Sequence, residues 1–253
     1  NQDNNKRTIA NAAAIVQNGD VRGIYHKSFL PNYSVFDEAR YFSKGTEPNT
    51  LFWYDDIAIG INICEDIWIE DGPAEEQVKQ GASLIININA SPYDIHKSET
   101  RKEIVMKKAL KLNVPIIYLN MVGGQDELVF DGGSFVVNVL GEIIYQASSF
   151  KEEVFHLDID LKTNKHNDKS PLIIRPKTIE LKDVESKASL SKNESIDSAL
   201  KLGLKDYVRK NKFTKVLIGI SGGIDSALTA AICVDALGAE NVIGVAMPSK
   251  YNS

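Results

Sequence analysis

The stretch Lys215-Val-Leu-Ile-Gly-Ile-Ser-Gly-Gly-Ile-Asp-Ser226 decides the fold class of the C-terminal part of the chain. After Lys215, residues 216–220 are apolar and largely β-branched, which is typical of a buried strand. Residues 227–237 are rich in alanine and leucine and predict the helix that follows. Gly222 and Gly223, at the junction, let a phosphate group approach the backbone, and the free N–H groups of a helix N-terminus attract that anion. The stretch therefore predicts a parallel α/β sheet with a phosphate-binding turn.

The side chains of this turn favour ATP chemistry over a turn that serves only strand–helix packing. Asp225 does not attract phosphate itself, because its carboxylate is negatively charged. A Mg²⁺ ion held between this carboxylate and a pyrophosphate would explain the presence of an acidic residue in the turn. Ser221 and Ser226 supply hydroxyl groups. The pattern lacks the Gly-Lys-Ser/Thr of a Walker A loop and the three glycines of a dinucleotide fingerprint. It resembles the P-loop of ATP pyrophosphatase-type enzymes, which cleave ATP between the α and β phosphates and adenylylate a carbonyl or carboxyl oxygen.

The composition excludes several classes of protein. The 253 residues, 43% hydrophobic and 25% charged, suit an ordinary globular protein with one or two domains. A net charge of −5 offers no basic surface, so we expect no nucleic-acid partner. No apolar run reaches the ~18 residues that a membrane span needs, so we expect no membrane partner. Two cysteines, Cys64 and Cys233, are too few for a disulfide framework and suit the cytoplasm.

Residues 12–160 alternate between predicted strands and predicted helices. An Asn18-Gly19 turn and a Gly141-Glu142 turn each predict a hairpin. Apolar runs predict buried strands at 57–63, 84–90, 114–120 and 155–159, and helical spacing predicts helices at 73–80 and 98–112. This mixture predicts a layered α/β fold with a partly antiparallel sheet.

The composition changes between residues 160 and 195, where Lys, Asn, Asp and Ser dominate. We therefore predict a domain over 1–160, a surface-draped linker over 161–194 and a second domain over 195–253, which opens with a helix at 195–210. A doubly wound sheet needs about five or six strands, and only two are predicted after residue 210. We therefore expect the second domain to be a fragment and part of the first, which starts at Asn1 in a polar run, to be absent.

Cys64 ends the predicted strand 57–63 and precedes a predicted helix. A thiol at this position lies above the sheet edge, where an α/β protein often carries a nucleophile. The dipole at the helix N-terminus is expected to lower the pKa of the Cys64 thiol. The alternative interpretation is a buried apolar cysteine. Lys27 likewise ends a predicted strand, 22–26, and is either a solvated charge or a second catalytic group.

Together these two positions resemble the nitrilase superfamily, in which a cysteine, a lysine and a glutamate hydrolyse amides. The resemblance is closest to the glutamine-dependent NAD synthetase family. It is carried by the runs Tyr25 through Phe42, Cys64-Glu-Asp-Ile-Trp68, Asn89-Ala-Ser-Pro-Tyr93 and Gly123-Gly-Gln-Asp-Glu-Leu-Val-Phe-Asp-Gly-Gly133. With the turn at 219–226, it covers nearly the whole chain. It implies a nitrilase-like αββα sandwich followed by the start of a Rossmann-like parallel-sheet ATP pyrophosphatase domain.

The resemblance also implies how glutamine is used. Cys64 attacks the side-chain carboxamide and forms a thioester with release of ammonia, while Lys27 and the backbone N–H of Glu65 stabilise the oxyanion. Glu38 matches a second, orienting glutamate, although a surface charge is the alternative interpretation. The family's general base is a glutamate from an earlier strand, and residues 1–23 contain none. The implied glutamine contacts are Tyr33, Glu65, Ser91 and Lys97.

In the family, ATP adenylylates the carboxylate of nicotinic acid adenine dinucleotide, and ammonia then displaces AMP to give NAD. The resemblance assigns Mg²⁺ to Asp225 and implies a homo-oligomer whose interfaces build an ammonia passage. It assigns ATP to Gly219, Ser221, Gly222, Gly223, Asp225, Ser226 and Met247. Two alternatives stay open. One is another ATP-loop amidotransferase, such as GMP or asparagine synthetase, whose glutamine sites do not fit Lys27 and Cys64; the other is an inactive fragment of the same enzyme.

Overall fold

The computed structural model describes residues 9–46, 51–163, 172–173 and 185–248. In chain order the helices and strands are β1 (Ala12–Gln17), β2 (Asp20–His26), α1 (Glu38–Tyr41), β3 (Leu51–Tyr54), β4 (Ile57–Ile63), α2 (Pro73–Lys79), β5 (Leu84–Asn89), α3 (Lys97–Leu112), β6 (Ile116–Asn120), β7 (Val122–Gln125), β8 (Leu128–Asp131), β9 (Phe135–Val137), β10 (Ile143–Gln146), β11 (Leu172–Ile173), α4 (Lys192–Lys210), β12 (Val216–Ile220), α5 (Ile224–Leu237) and β13 (Val242–Ala246). Short 3₁₀ helices cover Cys64–Ile67 and Ala239–Asn241.

A sheet that has seven strands within the described residues forms the centre of the first domain, in the order β10-β9-β6-β5-β4-β3-β11. Strands β4, β5 and β6 are mutually parallel. The pairs β3–β4, β6–β9 and β9–β10 are antiparallel, and β11 is parallel to β3. In this register Ile63 lies beside Ile88, so Cys64 emerges at the carboxyl edge of the parallel strands. That edge is where open α/β sheets bind their ligands.

Each face of this sheet is covered. On one face α2 and α3 pack Ala74, Val105 and Ala109 against Ile85 and Ile116. Full burial of a side chain such as Ile85 stabilises the fold by about 1.5–3 kcal/mol. On the other face the β1–β2 hairpin brings Tyr25 against a second cluster, composed of Phe52, Ile61, Ile63 and Cys64. The expected layered α/β fold with a partly antiparallel sheet is thereby confirmed.

One predicted strand is wrong. Residues 155–159 pair with no strand in the described part of the chain. Their alternation of apolar and polar residues has another cause, because Phe155, Leu157 and Ile159 pack on the cluster around Val136 and Tyr145. An extended segment that buries every second side chain has the period of a strand without its ladder of hydrogen bonds.

Part of the predicted linker lies outside the described residues, at 164–171 and 174–184. Its two described residues in between form β11, which pairs in parallel with β3. The helix predicted at 195–210 starts earlier, at Lys192, because Ser191 and Glu194 form a capping box. The Ser-x-x-Glu spacing is the signal that would have located this helix start.

Helix α4 contacts the β7–β8 hairpin on one side and α5 on the other. On one side Asp206 accepts a hydrogen bond of 2.8 Å from the Gly124 N–H of β7. On the other side the Lys201 ammonium reaches Asp197 at 2.7 Å and Asp235 of α5 at 2.8 Å. Beyond it, β12 and β13 pair in parallel around α5, as the sequence predicts. Across the described residues, no helix combines the length and the apolar character needed to cross a membrane.

Candidate active site

Cys64 connects strand β4 to the 3₁₀ helix Cys64–Ile67 in a left-handed backbone conformation, with φ of 46°. This conformation is uncommon for residues other than glycine, and it costs of order 1–3 kcal/mol. It lets the chain leave the strand and enter a helical turn at a single residue. Strain of this kind is concentrated at functional sites, so the backbone itself marks Cys64 as a candidate nucleophile.

Lys27 follows β2 directly, and its side chain is only 1% exposed. Its ammonium group donates hydrogen bonds of 2.7 and 2.8 Å to the two carboxylate oxygens of Glu38, the first residue of α1. Backbone bonds fix the same segment, since the Lys27 N–H donates to Asn11 and the Lys27 carbonyl accepts from Gly45, both at 2.8 Å. A cation buried to this degree needs a paired charge, and Glu38 supplies it.

Cys64, Lys27 and Glu38 line the same cavity, which has a volume of about 410 Å³. Asn89 and Met121, at the ends of β5 and β6, lie on its wall. Pockets of about 300–1,000 Å³ commonly hold small molecules. The structure therefore brings together the three residues that the sequence nominates as catalytic.

The expected lowering of the Cys64 pKa is wrong. Burial of the thiol raises its pKa to about 11, and the nearby carboxylates of Glu65, Glu38 and Asp66 act in the same direction. The charge of Lys27 opposes this shift without cancelling it. A 3₁₀ helix of four residues offers too short a dipole to compensate for the loss of hydration. The thiol is therefore protonated near neutral pH and needs a base to become a nucleophile.

This pKa predicts how Cys64 reacts with iodoacetamide. Because only the thiolate reacts, alkylation should be slow at about pH 8 and rise with a midpoint near 11. Mass spectrometry of the Cys64 peptide gives the rate at each pH. The same chain unfolded in urea is the control, and its Cys64 should react faster at about pH 8, since an unperturbed thiol has a pKa of about 8.5. A midpoint below the unfolded value in the folded chain would contradict the assignment.

Tyr33 and Glu65 also meet at this site. The Tyr33 hydroxyl donates to the Glu65 carboxylate, with distances of 3.0 and 2.9 Å to its two oxygens. Desolvation, followed by this hydrogen bond, raises the pKa of Tyr33 to about 12. The Tyr33 side chain remains exposed, so the pair is accessible to a ligand next to Cys64.

Ser91 and Lys97 are engaged elsewhere. Ser91 is buried, and its hydroxyl accepts a hydrogen bond of 3.1 Å from Arg101, which is itself ion-paired with Asp131 at 2.7 Å. The Lys97 ammonium lies 4.7 Å from the ring centroid of Trp68. Lys97 is thus close to the segment that follows Cys64, whereas the Ser91 side chain belongs to a buried network. The sequence reasoning missed Trp68 and Arg101 as partners of these residues.

A buried chain of amide side chains beneath Cys64 was also missed. Asn87 donates to Asn62 at 2.7 Å and to the carbonyl of Cys64 at 3.4 Å, and Asn89 donates to Asn87 at 2.6 Å. The signal was visible as asparagine at every second position of the apolar run Ile85-Ile-Asn-Ile-Asn89. Polar residues on the covered face of a strand must find hydrogen-bond partners there, so they indicate a network.

The glycine turn before α5 is closed by its own serines. Gly222 adopts a φ of 88°, which favours glycine. The Ser226 hydroxyl donates to the Gly223 carbonyl at 3.0 Å and lies 3.2 Å from the Ser221 hydroxyl. Asp225 stands exposed in the first turn of α5. The turn, the helix N-terminus and an exposed carboxylate thus occur together.

Gly219 of β12 lies close to Met247, which directly follows β13. A Cβ atom on Gly219 would lie 2.6 Å from the Met247 Cε, so the glycine makes room for that side chain. Met247 itself is exposed. Within the ranges that the structure describes, no three His, Cys, Asp or Glu side chains converge on a metal position.

Comparison with known proteins gives the same two parts. Residues 1–165 match the family model described as carbon-nitrogen hydrolase, and residues 196–253 match the one described as NAD synthase. A glutamine-dependent NAD(+) synthetase from Aquifex aeolicus is 43% identical over 261 residues, which cover 97% of this chain and 46% of the relative. The protein of the same name from Thermotoga maritima is 44% identical, over 96% of this chain and 45% of the relative.

Solved structures agree with these matches. The glutamine-dependent NAD⁺ synthetase of Acinetobacter baumannii, in complex with ADP, is 41% identical with a TM-score of 0.82, and the match covers 96% of this chain and 43% of that one. A carbon-nitrogen hydrolase from Helicobacter pylori is 26% identical with a TM-score of 0.53 over 56% of this chain. The expected nitrilase-like fold is thereby confirmed. The chain spans less than half the length of the synthetases that it matches.

Proposed function

The chain belongs to the carbon-nitrogen hydrolase family, and from this premise we propose that it forms the glutaminase part and the start of the ATP-binding part of a glutamine-dependent NAD synthetase. Glutamine hydrolysis at Cys64 would supply ammonia. The ammonia would amidate nicotinic acid adenine dinucleotide, activated by ATP, to give NAD, AMP and pyrophosphate. The observation that supports this proposal most directly is that Cys64, Lys27 and Glu38 line the same cavity.

The cavity is suited to amide hydrolysis through a thioester. The Cys64 sulfur would bond to the carboxamide carbon as the carbonyl electrons move to oxygen, and collapse of this adduct would expel the nitrogen as ammonia. Lys27 and the Glu65 N–H would stabilise the oxyanion, each by roughly 3 kcal/mol. Since Glu38 is bound to Lys27, it would orient the ammonium while a separate base accepts the thiol proton. Water would then release glutamate from the thioester.

Two charged groups at the segment 65–68, which follows the cavity residue Cys64, suit the amino-acid end of glutamine. We propose that Glu65, held by Tyr33, binds the α-ammonium group and that Lys97 binds the α-carboxylate. Ser91 would act through its buried position at the end of β5, next to the cavity residues Asn89 and Ala90. In this assignment, each charged group of the zwitterionic substrate is paired with a side chain of opposite charge.

The glycine turn would hold the pyrophosphate of ATP. Ser221, Gly222, Gly223 and Ser226 would contact its oxygens, and Gly219 with Met247 would lie beside the nucleotide. Asp225 fits Mg²⁺, which is commonly held by one or two carboxylates together with substrate phosphates. When bound, the metal would offset the negative charge on the leaving pyrophosphate.

Replacing Asp225 with asparagine should impair the ATP step and spare the glutaminase site. In the full-length protein, we expect ATP–pyrophosphate exchange to fall by at least about tenfold, because the carboxylate charge that pairs with Mg²⁺ is lost. Thioester formation at Cys64 should persist, since Asp225 lies in the other domain. Asp235→Asn, on the same helix but away from the turn, is the control. Unchanged exchange in the Asp225 variant would remove the residue from the metal site.

The test of the glutamine site is labelling of the chain by a glutamine-derived diazoketone. We expect the label on Cys64 and not on Cys233, and free glutamine should protect Cys64 while asparagine should not. Mass spectrometry of both cysteine peptides decides the outcome. If free glutamine did not reduce the labelling of Cys64, the assignment of this cavity as the glutamine site would be wrong. Labelling without glutamine turnover would favour the alternative of an inactive fragment.

The other alternative, a different ATP-loop amidotransferase, is distinguished by the acyl substrate. Under our proposal, AMP release by the full-length protein requires nicotinic acid adenine dinucleotide and not xanthosine monophosphate or aspartate. We further propose a homo-oligomer in the cytoplasm, without nucleic-acid or membrane partners. The two free cysteines are consistent with a reducing compartment.

A further inference from the structure

Asp66, two residues after Cys64, is a buried carboxylate with no exposed surface. Each of its oxygens accepts two hydrogen bonds. Oδ1 accepts from the backbone N–H groups of Ser28 at 3.2 Å and Phe29 at 2.9 Å. Oδ2 accepts from the backbone N–H of Ile63 at 3.0 Å and from the hydroxyl of Tyr25 at 2.8 Å. A single side chain thus joins the end of β2 to the end of β4.

The four donors lie within two residues of Lys27 or Cys64 in the chain, and both of these residues line the cavity. Ser28 and Phe29 directly follow Lys27, Tyr25 precedes it by two residues, and Ile63 directly precedes Cys64. We propose that Asp66 is a positioning residue that sets the distance between the Lys27 ammonium and the Cys64 sulfur. The claim that this distance matters for catalysis rests on the proposed function. The claim that Asp66 sets the distance does not.

The bonds of Asp66 tie two strand ends together as well as stabilising the fold. Burial raises the pKa of its carboxyl, so keeping it ionised there costs free energy that the hydrogen bonds must offset. An apolar residue of similar volume would avoid that cost, but it would leave three backbone N–H groups from two different strand ends without an acceptor. The geometry that these bonds impose is the property that only a carboxylate supplies.

A second buried carboxylate serves as the matched control. Glu75 on α2 is 4% exposed and accepts bonds from Lys108 at 2.8 Å and from the Gly72 N–H at 3.2 Å. It resembles Asp66 in burial and in accepting a bond from a backbone N–H, although its second partner is an ammonium group. It touches neither strand end at the cavity, so its loss should weaken the fold without changing the Lys27–Cys64 distance.

The test is a double-mutant cycle read out as Cys64 alkylation by iodoacetamide. Rates are measured by mass spectrometry from about pH 8 to about pH 11 in the chain itself, in Lys27→Met, in Asp66→Asn and in the double variant. The asparagine places an N–H₂ group against N–H donors, whichever way its amide is turned. The cycle cancels the direct effect of the lost Asp66 charge on the thiol, since that effect is present with and without Lys27.

With Asp66 in place, Lys27→Met should slow alkylation by about tenfold or more, because an adjacent cation lowers a thiol pKa by one unit or more. In the Asp66→Asn background, the same replacement should slow it by less than about threefold. In the Glu75→Gln background, the effect of Lys27→Met should stay at its original size. A Lys27 effect equal within about twofold in the Asp66→Asn chain and the parent would overturn the proposal.

Tyr25→Phe covers the case in which Asp66→Asn does not fold. It removes the hydroxyl donor to Oδ2 and leaves the carboxylate in place. The Lys27 effect should then fall to half or less of its size in the parent chain, and an undiminished effect would again overturn the proposal. Iodoacetamide reports on the thiol without glutamine turnover. Failure of this cycle is therefore distinguishable from failure of the glutamine-protection experiment.

Discussion

Replacing Cys64 with alanine in the full-length protein should abolish glutamine-dependent NAD formation and leave the reaction with free ammonia intact. Loss of a nucleophile removes the thioester route, so glutamate release should fall by at least about a thousandfold. Under the proposed function, the ammonia reaction depends only on the ATP-binding part, which includes the turn at residues 221–223 before α5. Glutamate and NAD are measured in parallel, with glutamine or ammonium chloride as the nitrogen source.

Cys233→Ala is the matched control for this variant. Cys233 is also a free, buried cysteine, but it lies within α5 and outside the cavity. We expect this variant to retain both reactions. If Cys64→Ala were to lose ammonia-dependent NAD formation while remaining folded, two independent sites connected by ammonia would no longer account for the protein.

Replacing Lys27 with methionine should reduce glutamine hydrolysis by at least about a hundredfold. Loss of one oxyanion donor raises the barrier by roughly 3 kcal/mol, and the thiol pKa should rise further because Lys27 is the charge that lowers it. The variant should also be less stable, since it leaves Glu38 without its cation in a partly buried position. Glutamate release and urea unfolding measure the two effects.

A second variant separates these effects. In Lys27→Met/Glu38→Gln the unpaired charge is gone, so the free energy of unfolding should recover while glutamine hydrolysis stays low. Recovery of hydrolysis together with stability would mean that Lys27 acts on the fold and not on the reaction. Alkylation of Cys64 should be faster in the double variant than in Lys27→Met, because the Glu38 charge that raises the thiol pKa is also removed.

The local pattern of residues was enough to predict most of the secondary structure and the fold class. The Asn18-Gly19 turn predicts the β1–β2 hairpin, and the apolar runs predict β4, β5 and β6. These features depend on neighbours in the chain, namely on side-chain period and on turn chemistry. The end of strand β4 also places Cys64 at the carboxyl edge of the seven-stranded sheet. Lys27 comes from β2 of a separate two-stranded sheet, so the tertiary structure brings it to Cys64.

Only the tertiary structure decided the electrostatics and the bonding of the site. The Cys64 pKa rises although the sequence predicted that it would fall, because burial against Tyr25 and Phe52, which are distant in the chain, outweighs the short helix. Asp66 accepts hydrogen bonds from Ser28 and Phe29, which lie 38 and 37 positions earlier in the chain, and no local sequence period reveals such partners. Residues 155–159 have the period of a strand, yet none of the strands in the described part of the chain pairs with them. Desolvation and hydrogen bonding act through space, so they depend on which distant residues the fold brings together.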